Sequence, residues 1–194
     1  MTEQEWLTAT DPGALLGFAA RGRLNSDRQL LLVSCGFYRD ALGDRVPPLE
    51  QPLLDATEGF ADGVVSQRDF WERSYEVFAG DFSDESLWLM SFVNMLAKWR
   101  PSRTRAPQPA LTHLVQEIFG NPFRPVSLDP SWRTDTAVPL ARQMYESWDF
   151  GAMPILADAL EDGGCDNAEV LAHRLGSGPH VRGCWVVDMV LGKG

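Results

Sequence analysis

The sequence predicts an all-α protein, about nine or ten short helices packed as an irregular bundle. Three observations point there. Helix-start signals recur along the chain, each a capping residue or an Asp-Pro pair placed just before an apolar run. The apolar residues that follow fall at helical rather than alternating spacing. No β-rich alternating run bounded by turn residues occurs; Cys184–Val187 comes nearest, and its flanks favour helix.

Thr2-Glu3-Gln4-Glu5 forms a capping box ahead of Trp6 and Leu7. Asp11-Pro12 opens the second helix, with Leu15, Leu16, Phe18 and Ala19 on one face and Gly22 as its stop. Ser26 opens the third, in which Leu30, Leu31, Val33, Phe37, Tyr38, Ala41 and Leu42 keep helical spacing and Cys35 reads as a buried structural thiol. Residues 50–64 and 66–79 read as a helix pair, the second capped by Ser66 with Asp69. Ser83-Asp84-Glu85 then leads the most amphipathic segment, to Trp99. Residues 100–109, rich in Pro and Arg, read as a linker or long loop between an N-terminal lobe, 1–99, and a C-terminal lobe, 110–194.

The second lobe begins with a helix stopped by Gly120, on which His113 and Glu117, four apart, read as a surface pair. Prolines punctuate 121–132, and Phe123, Val126, Leu128 and Trp132 predict a loop pinned down by its apolar side chains. Thr134 or Thr136 starts the next helix, and residues 152–162 supply another. Asp166-Asn167-Ala168-Glu169 reads as a capping box leading to His173, and the last helix is expected from His180 to Leu191.

A chain of 194 residues with 44% hydrophobic content is long enough for a sizeable core, and a net charge of −10 disfavours phosphate backbones and anionic lipid. No nucleic-acid or membrane partner is expected. The acidic start lacks the basic region of a signal peptide, and three cysteines do not make a disulfide framework, so the expected compartment is the reduced cytoplasm.

Three chemistries compete. Cys165, His173, His180 and Cys184 supply four soft or borderline ligands within twenty residues, with His180 and Cys184 one helical turn apart, as a zinc module would need. Cys165 lies about a dozen ångströms from His173 along the intervening helix at roughly 1.5 Å per residue, so this reading expects no zinc and no cofactor. An acid/base enzyme would draw on His173, His180 and Asp188, with Asp158 and Glu161 as further carboxylates. No nucleophile elbow, phosphate loop or HExxH motif accompanies them. The leading expectation is a non-catalytic module with a protein partner, contacted through Phe123, Arg124, Trp132, His180 and Arg182, since aromatic and arginine side chains dominate interface energetics.

The stretches Ile118-Phe119-Gly120-Asn121-Pro122-Phe123-Arg124-Pro125, Pro154–Leu160 and His180–Asp188, with the opening Met1–Leu7, resemble a family of proteins of unknown function that is heavily duplicated in planctomycete bacteria. The match is close in the second half and loose over 40–110. Family members tend to carry extra cysteines near Cys35 and just after the histidine matching His173; here Gly36-Phe37-Tyr38 and Arg174 stand there. The resemblance implies a helical bacterial protein and assigns no catalytic residue. Its duplication suits an interaction domain better than a housekeeping enzyme.

Overall fold

The computed structural model describes residues 1–21, 27–42, 46–48, 50–78, 108–173 and 180–193. Among them it has ten α-helices and no strand: α1 Glu3–Leu7, α2 Pro12–Arg21, α3 Asp27–Leu42, α4 Gln51–Ala61, α5 Gln67–Phe78, α6 Gln108–Phe119, α7 Ala137–Ser147, α8 Met153–Asp162, α9 Ala168–His173 and α10 Trp185–Leu191, with a 3-10 turn at Pro130–Trp132. No helix among the described residues is long and apolar enough to cross a membrane. The amphipathic segment expected over 83–99 and most of the expected 100–109 linker lie outside the described residues, and α6 already begins at Gln108.

Several caps form as the local sequence dictates. Thr2 and Glu5 make a reciprocal capping box on α1, and Ser66 Oγ accepts from the Asp69 N–H at the start of α5. Asn167, rather than Asp166, caps α9: its side-chain oxygen accepts from the Glu169 and Val170 N–H groups.

The chain divides into two compact units, 25–111 and a discontinuous one made of 1–24 with 112–194. This differs from a split into 1–99 and 110–194 in where the first two helices belong. In the 25–111 unit α4 packs between α3 and α5, around Leu31, Leu53, Ala56 and Phe70. Arg39 of α3 pairs with Glu58 at 3.0 Å and Asp55 at 2.8 Å on α4, so the buried Glu58 carboxylate has its counter-charge.

In the discontinuous unit, α10 packs on α7, α7 on α8 and α8 on α9, around Met144, Leu156, Leu160, Val186, Val187 and Val190. Trp132 joins this core at 7% exposure, with Val126 and Leu128 packed beside it, so the 121–132 loop is pinned as its apolar content predicts. The N-terminal segment is tied in by polar contacts. Trp6 Nε1–H donates to the Gly120 carbonyl at 3.1 Å, Gln116 Nε2–H to the Trp6 carbonyl at 2.7 Å, and Glu3 binds Asn121 at 2.8 Å and Arg124 at 2.6 Å. These contacts cross more than a hundred residues of sequence, and residue-by-residue patterns do not encode them.

Candidate metal centre

Four side chains of the discontinuous unit converge: Glu117 from the last two turns of α6, His173 from the end of α9, and His180 and Cys184 from the segment before α10. One ligand atom from each lies within 4.8 Å of every other. Glu117 Oε1 meets His180 Nδ1 at 2.8 Å, and its Oε2 meets His173 Nε2 at 3.2 Å. That same Nε2 lies 3.2 Å from Cys184 Sγ.

The segment 180–184 is a turn, not the first turn of the last helix. The Cys184 N–H donates to the Val181 carbonyl at 2.9 Å, and Gly183 sits at φ +93°, the third position of a type II turn, where glycine is favoured. Helix α10 therefore begins only at Trp185, with Cys184 as its cap residue. His180 and Cys184 are brought together by the turn rather than by a helical face.

Glu117 is the member of the cluster that the sequence pattern does not single out. Its expected role was a surface pair with His113, yet it is 2% exposed and faces the two other histidines. Burial works to raise its carboxyl, but the hydrogen bonds it takes from His173 and His180 override that and hold it at about 2. It stands where Cys165 was expected. Cys165 precedes α9, at the opposite end from His173, and is buried in the apolar core, so it does not join the cluster. Burial raises its thiol. A hint of Glu117 was present: three residues after Leu114, it flanks the apolar stripe of α6 instead of opposing it.

Cys184 is fully buried. Burial pushes its thiol well above the ordinary range, the Glu117 carboxylate adds to this, and the Val187 and Val186 N–H groups oppose it. His173 is fixed from its other side by Trp185, whose indole N–H donates to Nδ1 at 3.1 Å. The arrangement differs from a Cys-His-carboxylate triad, in which thiol and carboxylate face opposite ring nitrogens. Here both face Nε2.

The remaining candidates are dispersed. Asp188 is buried in α10 outside the cluster, and Asp158 and Glu161 are exposed on α8. Phe123 is 37% exposed and stacks on Phe18, and Arg124 bridges Glu3 and Glu169. Arg182 lies over the rings of Tyr145 and Trp148. A cleft of about 380 Å³ reaches the cluster at His173, walled by Trp6, Leu7, Trp185 and Ala172 and rimmed by Glu3, Arg124 and Glu169.

No family model, curated protein or solved structure matches the chain.

Proposed function

We propose that Glu117, His173, His180 and Cys184 bind one divalent metal ion, zinc by its donor set, as a structural staple of the discontinuous unit. The observation that carries this reading is convergence: two imidazole nitrogens, a carboxylate oxygen and a sulfur from three separated pieces of chain lie within 4.8 Å of one another. Tetrahedral zinc, with bonds of roughly 2.0–2.3 Å, sets its ligand atoms about 3.3–3.6 Å apart. The two 3.2 Å separations around His173 Nε2 are already close to this, and the widest, up to 4.8 Å, would have to close by about 1.2–1.5 Å. Four protein ligands, all buried or nearly so, make a closed site of the structural kind. Mixed nitrogen, oxygen and sulfur ligands favour zinc over magnesium or calcium.

Two other readings are less supported. Nucleophilic catalysis by Cys184 needs an accessible, activated thiol, and this one is buried with its pKa raised. A protein-interaction surface would centre on Leu7, Phe123 and Arg124, which are exposed, and not on Trp132, which belongs to the core. Such a surface is compatible with a metal staple beneath it.

Elemental analysis of protein purified without chelator or histidine tag tests the proposal. One equivalent of zinc is expected in the wild type and far less in Glu117→Gln or Cys184→Ser. Zinc at a thousandfold its dissociation constant adds about 4 kcal/mol of stability, on the order of 10 °C in melting temperature for a chain of this size. A wild-type protein that neither retains zinc nor melts higher when zinc is added overturns the reading.

A further inference from the structure

We infer that Trp185 is a positioning residue: its indole N–H fixes which nitrogen of His173 carries the proton, and so sets how tightly the centre holds its metal. This rests on the metal reading above and names a control on the same site. An indole N–H can donate but has no lone pair to accept with. Because it points at His173 Nδ1 from 3.1 Å, Nδ1 is the accepting nitrogen and the proton of the neutral ring sits on Nε2. That nitrogen is well placed to donate it, 3.2 Å from Glu117 Oε2 and 3.2 Å from Cys184 Sγ.

A metal ion at the centre needs the Nε2 lone pair. The ring stays neutral, so its single proton must relocate to Nδ1 by exchange with water, while the Cys184 thiol proton leaves to solvent. A proton on Nδ1 then confronts the indole N–H, donor against donor. Metal-bound histidines ordinarily donate their second N–H to an acceptor, and Trp185 reverses that arrangement. Loading the site therefore requires the indole to move off Nδ1.

The surroundings fit such a latch. The Trp185 indole rests against Gly120, where an added Cβ would stand 3.2 Å from its Cγ, and Gly120 itself sits at φ +64°, which glycine tolerates best. Trp185 and His173 both border the 380 Å³ cleft, which gives the ring somewhere to go.

The test compares wild type with Trp185→Phe, which keeps a large aromatic ring and removes the N–H. A competing chelator dye reads zinc affinity. We expect Trp185→Phe to bind zinc about threefold to tenfold more tightly, the net worth of one hydrogen bond. Loss of a merely structural contact would weaken binding. Long-range proton–nitrogen correlation spectra of the metal-free proteins supply a second readout: His173 carries its proton on Nε2 in the wild type, and both tautomers are populated in Trp185→Phe. Equal or weaker zinc binding by the variant, or a wild-type His173 protonated on Nδ1, overturns the inference alone. Zinc bound by neither protein overturns the metal reading and the affinity claim with it.

Discussion

Glu117 is one carboxylate asked to satisfy two imidazoles inside a protein, and its acidity reports how well it does so. Its pKa falls from an ordinary 4.5 in the unfolded chain to about 2 in the fold. A group whose folded pKa is depressed contributes stability that is fully present above the unfolded value and is lost as pH falls through the folded one. In metal-free protein the window is therefore about pH 4.5 down to about 2, and the contribution is on the order of 3 kcal/mol at about 1.4 kcal/mol per unit. Urea titrations in the presence of a chelator should show the wild type losing stability across that window. Glu117→Gln should be less stable at neutral pH and flatter with acid, and a variant curve parallel to the wild type would refute the assignment. The place of Glu117 beside the apolar stripe of α6 hints at burial, but nothing in the sequence around it names its partners. His173 and His180 lie more than fifty residues away, and His113, one turn away, offered a local partner instead. Pairing by i, i+4 spacing is a rule for isolated helix surfaces, and tertiary burial overrides it.

At the level of elements, what was legible is what is local. The boxes at Thr2–Glu5 and Ser66–Asp69 and the Asp11-Pro12 start are decided within four residues, and each opens a helix where expected. The apolar spacing of 184–191, extended back to His180, overstates α10, which starts only at Trp185; Gly183 is the signal that the chain turns there first. The α4–α5 corner has a comparable constraint. Gly63, at φ +69°, ends α4, and the Val64 N–H donates to the Gly59 carbonyl at 2.8 Å in a Schellman closure. This folds Val65 back so that a Cβ at position 59 would lie 2.4 Å from Val65 Cγ2. Helix propensity favours Gly59→Ala by about 1 kcal/mol, whereas overpacking costs about 1–3 kcal/mol. We expect a net destabilisation of about 1 kcal/mol in chemical denaturation, largely recovered when Val65→Ala is added. A single variant as stable as wild type would mean the corner relaxes freely.

For the molecule as a whole, the proposed staple would join only residues of the discontinuous unit: Glu117, His173 and the turn before α10. Zinc should accordingly slow amide hydrogen exchange within 112–193 and leave the α3–α5 amides of the 25–111 unit nearly unchanged. Uniform protection, or protection confined to 27–78, would contradict that placement. The division of the chain also bears on how the protein is made. A ribosome delivers residues in order, so 25–111 is complete and free to fold before any of 112–194 has emerged. Trp6, Leu15 and Ala19, each wholly buried in the finished protein, are synthesised before either stretch. The Gly120 carbonyl that takes the Trp6 indole N–H arrives more than a hundred residues later. Until that carbonyl arrives, the buried Trp6 indole lacks the acceptor it has in the finished fold.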